Sequence, residues 1–224
     1  MARTRRTASH SVLERTRVPL ALPAAEAPGA GAAALKAAAL LSPAFWLDLV
    51  IRWRDIIAII LRLFRWHRLD FMMQHQQQTN WCWAAVSTSV ALFYDPASTW
   101  TQCLVANGEL GRTDCCGTGA SGPCNVYGYL DTSLSRVGHL DHWAGGTATF
   151  AAVEGEVDGG RPLCLRTAWS GGGAHFLAII GYRILQNMLA VDDPFYGKSD
   201  VSYTTFLTAY QGSGSWTHTY YTEA

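Results

Sequence analysis

The chain has 224 residues, 49% of them hydrophobic, with 9 Trp, 9 Tyr and 8 Phe, enough apolar material to exclude wholesale disorder. Its formal net charge is zero, yet residues 1–70 carry 11 Lys+Arg against 5 Asp+Glu, a balance of +6, and residues 71–224 carry 6 against 12, a balance of −6. The acidic part lacks basic residues interleaved with aromatics, which excludes nucleic-acid binding there.

In chain order, residues 1–43 read as a disordered or targeting arm. Arg3, Arg5, Arg6, Arg15 and Arg17 precede an Ala/Pro/Gly-rich run through Ala39. The only apolar run near them, Val18 to Ala25, is short and broken by Pro19 and Pro23, so it fits an export signal poorly, and Arg5-Arg6 resembles a twin-arginine signal only weakly. Residues 44–70 read as an amphipathic helical segment. Asp48, Arg52, Asp55, Arg62 and Arg65 are spaced by 4, 3, 7 and 3, which places them along one helical side. No stretch of ~20 uncharged residues exists to span a bilayer. Three placements fit: a membrane-surface helix, a pro-segment docked on the following domain, or an extra helix packed on the core.

From Phe71 onward a single domain is expected. Cys82 to Tyr94 is rich in Ala, Val and Leu and is stopped by Asp95-Pro96, which predicts a helix. Residues 95–127 read as loop with short helical pieces. Tyr129–Val137 and Phe150–Asp158 fit two further short helices, the first ended by Gly138. Strands are expected over Pro162–Trp169, His175–Tyr182 and Met188–Asp192, with turns at Gly171–Gly173 and Gln186-Asn187. Helices first and antiparallel strands later make the class α+β.

Six cysteines are present: Cys82, Cys103, Cys115, Cys116, Cys124 and Cys164. If Cys82 stays free, at most two disulfides form and one thiol is left over. Clustering of Cys103, Cys115, Cys116 and Cys124 suggests disulfides and an oxidising compartment; buried reduced thiols are the alternative. Paired C-x-x-C units are missing and no His lies between Cys103 and Cys124, which argues against zinc.

A thiol attacks an amide as thiolate, and a free Cys with a pKa of ~8.5 is mostly protonated near neutrality. A helix N-terminus, a neighbouring His and a third group orienting that His correct this. Cys82 opens a predicted helix, His175 opens a strand after a glycine turn, and Asp193 ends the next strand. The Cys82 N–H and the Gln76 side chain, six residues earlier, are the expected oxyanion donors. Gln74, Gln77 and Gln78 are rival donors. His75, His139 and His142 are read as surface residues, Trp81 as core, and Trp83, Trp169 and Phe195 as candidates for the substrate cleft.

Gln76-Gln-Gln-Thr-Asn-Trp-Cys82-Trp-Ala-Ala resembles the nucleophile segment of bacterial papain-like cysteine peptidases, such as staphopains and effector peptidases of plant pathogens. Gly-Gly-Ala174-His175-Phe-Leu-Ala-Ile-Ile-Gly-Tyr182 is similar to that family's histidine strand. Val191-Asp192-Asp193-Pro194-Phe195 resembles its Asn/Asp-Pro-aromatic segment, in which the residue before Pro is the third triad member; this selects Asp193 over Asp192. The resemblance covers about 75 to 220 and none of 1–70. It implies a papain-like fold, an N-terminal helical part carrying the Cys and a C-terminal antiparallel sheet carrying His and Asp. It also implies peptide hydrolysis through a Cys82 thioester, with Gln76 in the oxyanion hole. Many members have Asn where Asp193 stands.

No metal or organic cofactor is expected. The expected partner is a protein or peptide substrate, with the chain a monomer, secreted or delivered as an effector; a cytoplasmic location stays open. The alternatives are a Cys/His amidase or transglutaminase-like enzyme, and an inactive peptide-binding or membrane-interacting module. An inhibitory role for residues 44–70 is a related expectation.

Overall fold

The computed structural model describes residues 42–224; the arm expected over 1–43 lies, up to residue 41, outside them. The chain divides at Trp53/Arg54 into two compact units. Of the first, the described part is Ser42–Trp53, the N-terminal half of helix α1 (Pro43–Phe64). The helix runs on into the second unit and ends at Phe64, six residues short of the end expected at 70. There the chain turns extended, and β1 (His67–Arg68) pairs with the sheet described below.

The second unit is α+β. Helices α2 (Cys82–Tyr94), α3 (Gln102–Leu110), α4 (Cys115–Thr118) and α5 (Leu130–Val137) come first. Strand β2 (Leu140–Gly145) and α6 (Phe150–Asp158) follow. Then come β3 (Leu163–Trp169), β4 (Ala174–Arg183), β5 (Met188–Asp193) and β6 (Gly197–Ser202). Helix α7 (Tyr203–Ala209) and β7 (Gly214–Thr222) close the chain. The sheet order is β2-β7-β3-β4-β5-β6, antiparallel throughout, with β1 on β4.

The sheet is buried on both faces, so its central strands are nearly continuous apolar runs. On β4, Phe176, Ala178 and Ile180 face the cluster that includes Trp83, Val86 and Val90 of α2 and Leu130 and Leu134 of α5. Leu177 and Ile179 face the opposite cluster, with Val153 and Val157 of α6 and Phe206 of α7. A register shift between Ile179 and Gly181 reverses the alternation, and Tyr182 joins the second cluster.

Two disulfides, Cys103–Cys116 and Cys115–Cys124, staple α3, α4 and the loop that follows. All four expected cysteines are used. Cys164 is the left-over thiol: it is fully buried in β3, and burial pushes its pKa up, keeping it protonated. Among the described residues, one cluster combines metal-ligating types, Asp114, Cys115 and Cys124, but both of its sulfurs are spent in a disulfide. No described helix is long and apolar enough to cross a membrane.

Candidate active site

Cys82 is the first residue of α2. Trp81 precedes it with no side-chain cap, so the helix's positive end faces the thiol without a competing side-chain acceptor. The entering loop is pinned from several directions. Asn80 N donates to Asn125 Oδ1 (3.0 Å) and Asn80 Nδ2 to Asn125 O (2.8 Å). Trp81 Nε1 donates to Cys124 O at 2.7 Å, which ties the start of α2 to the second disulfide. Gln76 N donates to Pro194 O at 2.9 Å, joining this loop to the Asp193-Pro194 corner.

His175 is the second residue of β4 and follows Gly172 and Gly173, whose φ values of 93° and 82° suit only glycine at low cost. Asp193 ends the neighbouring strand β5, so both side chains emerge at one end of the sheet. His175 Nε2 lies 2.8 Å from Asp193 Oδ1. The other ring nitrogen, Nδ1, is not engaged by Asp193, and Cys82 lines the same cavity as His175. Burial alone would depress the imidazolium, but the hydrogen bond to Asp193 and the influence of Asp193 and Cys82 outweigh it. They raise the His175 pKa to about 9.

Asp193 is itself firmly held. Its Oδ1 accepts from Phe195 N (2.7 Å) and Tyr196 N (2.9 Å), and its Oδ2 from Tyr210 Oη (2.8 Å). Burial pushes its pKa up, yet His175 and the two backbone donors prevail and hold it below the ordinary carboxylate value. Asp192 points elsewhere, accepting from Met73 N at 3.0 Å and lying 3.8 Å from Lys198. Burial pushes its pKa up.

Gln76 is buried beside this group, at the edge of a 190 Å³ cavity that also reaches Cys82 and His175. Its Nε2 donates to Gln78 O (3.0 Å) and Thr79 O (2.8 Å), while its buried Oε1 has no hydrogen-bond partner in the structure. Both amide hydrogens are therefore spent on the residue's own loop, and an oxyanion would have to displace one of those carbonyls. Among the rivals, Gln74 accepts from Gln102 and the backbone of Gln77 donates to Gln102.

The three expected cleft aromatics differ in placement. Trp169 lies over His175, with ring centroids 6.1 Å apart, and over Tyr210 at 6.4 Å. Phe195 is 55% exposed and lines the smaller cavity. Trp83 is buried yet is one of the residues around the larger cavity beside Cys82 described below. Its indole donates to Val126 O at 3.2 Å and is covered by Gly128, where any Cβ would collide with the ring. His75 sits beside Phe195 at 6.3 Å. His139 bonds Glu223 O and His142 pairs with Asp141, away from Cys82.

A second cavity of about 650 Å³ also reaches Cys82, walled by Tyr129, Trp143, Phe176 and Tyr220, with Asp131 and Arg166 among its polar groups. Sequence reasoning missed this wall and missed Tyr210. The cavity residues come from distant segments with no shared motif. The Asp-Pro-aromatic corner does signal that the Phe195 and Tyr196 amides turn back onto Asp193.

No curated protein sequence matches the chain. Among solved structures, the chain is similar to a double glycine motif protease from an AMS/PCAT transporter, solved in complex with the leader peptide. The identity is 14% and the TM-score 0.42, over 70% of this chain and 94% of that one. It is also similar to the Pseudomonas avirulence protein AvrPphB, at 11% identity and a TM-score of 0.35, over 69% and 98% of the two chains. The family model described as papain-like cysteine protease AvrRpt2 matches residues 65–211. The chain thus belongs to the AvrRpt2 family of papain-like cysteine proteases and is a cysteine peptidase.

Proposed function

We propose that the chain is an endopeptidase in which Cys82, His175 and Asp193 act as a triad. The observation that carries this is the position of His175, bonded to Asp193 and lining one cavity with Cys82, with its pKa raised to about 9. At neutral pH the imidazole is then charged, and a cationic histidine favours the thiolate form of a neighbouring cysteine. The thiolate attacks a peptide carbonyl carbon, forming the S–C bond and placing the electron pair on oxygen. The Cys82 N–H and one amide hydrogen of Gln76 stabilise that oxyanion. His175 gives its proton to the leaving amine as the C–N bond breaks, then takes a proton from the water that hydrolyses the thioester. Asp193 keeps Nδ1 directed at the sulfur throughout. Two cavities that meet at Cys82 support binding of an extended peptide across it, as an endopeptidase requires.

The two disulfides support folding in an oxidising compartment, consistent with secretion or delivery as an effector. The test is labelling with an epoxide inhibitor of cysteine peptidases, followed by peptide mass mapping. Modification confined to Cys82 and lost in His175→Ala is the expected result. Equal labelling of Cys82 in the two proteins would remove His175 from the mechanism.

A further inference from the structure

We propose that α1 docks the enzyme on an anionic phospholipid surface, lying in the membrane interface rather than crossing it. At about 100° per residue, Val50, Trp53, Ile56, Ile57, Ile60, Leu61 and Phe64 fall on one arc of roughly 140°, wider than the ~100° stripe a surface helix needs. All seven are exposed in the structure, Trp53, Leu61 and Phe64 by 57%, 60% and 60%. Soluble monomers rarely show an apolar patch of this extent without a use for it. Asp48, Arg52, Asp55 and Arg62 occupy the opposite half of the helix, and Arg54 sits at the rim of the apolar arc, about 20° from Leu61.

Charge decides between occupants. Residues 43–68 carry five arginines against two aspartates, while the chain from 71 onward is net negative. From residue 43 onward the net positive charge therefore lies on the helix and its C-terminal edge. Arg62 and Arg68 are committed to Asp158 and Asp200, and Arg52 to Asp48. Arg54 and Arg65 have no ion pair among the described residues. Trp66 follows at the same end, with the guanidinium carbons of Arg68 and Arg183 at 4.1 and 5.0 Å from its ring. An apolar face bearing Trp and Phe, backed by arginines, is the pattern of a helix that sinks into the headgroup boundary of an acidic bilayer. The end of α1 is fixed to the domain by Arg62–Asp158 and by Leu185 N donating to Leu63 O at 2.9 Å. No described residue before Gln76 lines either cavity at Cys82, so the helix can be engaged with the cleft open.

The experiment is co-sedimentation of the full chain with vesicles of phosphatidylcholine and phosphatidylserine, and with vesicles of phosphatidylcholine alone. Binding should be at least about tenfold tighter to the acidic vesicles and should weaken with salt, since each unpaired arginine is worth roughly a factor of five at such a surface. Ile57→Asp with Ile60→Asp should abolish it, and Arg54→Glu with Arg65→Glu should reduce it about tenfold or more. Near-ultraviolet circular dichroism checks that each variant is folded. Cys82→Ala should bind like the unaltered chain, so this result stands or falls apart from the peptidase mechanism. A folded chain that stays in the supernatant with acidic vesicles at low salt overturns the proposal. So does a dimer in light scattering that the apolar-face variant dissociates while vesicles fail to bind, which would assign the face to a second copy.

Discussion

Tyr210 donates a 2.8 Å hydrogen bond to Oδ2 of Asp193, the carboxylate oxygen that His175 does not use. With the amides of Phe195 and Tyr196 on Oδ1, every direction in which the buried carboxylate could swing is occupied. The orientation of His175 is thereby set by a residue that does not touch it through a hydrogen bond.

Tyr210→Phe should keep the ring packing and leave Oδ2 buried without a donor, at a cost of about 1–3 kcal/mol. Loss of a donor also lifts the Asp193 pKa. A carboxyl held below its ordinary value contributes stability that is present above the unfolded pKa and lost as pH falls through the folded one. Acid unfolding of the variant should therefore begin at a higher pH, measured by circular dichroism. An unchanged acid limb would reduce Tyr210 to a packing residue.

The raised pKa of His175 has the opposite sign. Its contribution to stability is complete below the ordinary histidine value of about 6.5 and disappears as pH rises through about 9. Peptide hydrolysis, which needs the imidazolium proton for the leaving amine, should fall over the same range. Alkylation of Cys82 by iodoacetamide, which needs only the thiolate, should persist. Asp193→Asn keeps a hydrogen-bond acceptor but removes the charge, so the alkaline limb of hydrolysis should move to lower pH. Coincident limbs for hydrolysis in the two proteins would contradict this.

Gln76→Ala should lower kcat by roughly a hundredfold if one amide hydrogen turns to the oxyanion, with the rate of Cys82 alkylation unchanged. A fall of less than threefold would mean that the carboxamide serves only the carbonyls of Gln78 and Thr79.

The two disulfides should differ in their effect. Removing either, as Cys103→Ser/Cys116→Ser or Cys115→Ser/Cys124→Ser, should cost about 2–4 kcal/mol in denaturant unfolding. Only the second pair holds the segment whose carbonyl receives the Trp81 indole. Its loss should also slow labelling of Cys82 under conditions where both variants remain folded.

The helix Cys82–Tyr94 was legible to the residue because an apolar run begins at Trp81-Cys82 and Asp95-Pro96 ends it. The strands β3, β4 and β5 were legible because burial on both faces makes them continuous apolar runs. Strands β2 and β6 were not, because LDHWAG and GKSDVS lie at the two sheet edges and are mostly exposed or half-buried. Their pairing is imposed by β7 and β5. Strand β7 sits between β2 and β3, yet Thr217, His218 and Thr219 interrupt its apolar pattern and a register shift at Arg166/Thr167 breaks the alternation. At the site, Cys82, His175 and Asp193 each sit in a short recognisable segment. Tyr210 reaches Asp193 only after a strand and a helix have intervened, and Trp83 is covered by Gly128 from a distant loop; neither fact leaves a local mark.

Adjacent Cys115 and Cys116 bond in different directions, the first buried toward Cys124 and the second exposed toward Cys103. Four cysteines allow three pairings, and one wrong pairing differs from the right one only by a slip of a single residue. Asn107 tells the two apart: its Oδ1 accepts the Cys115 amide at 2.9 Å, and its Nδ2 lies 3.7 Å from the Cys116 sulfur. A single asparagine of α3 therefore acts as the reading frame of the cross-links in the native fold, holding each of the two adjacent cysteines on its own side.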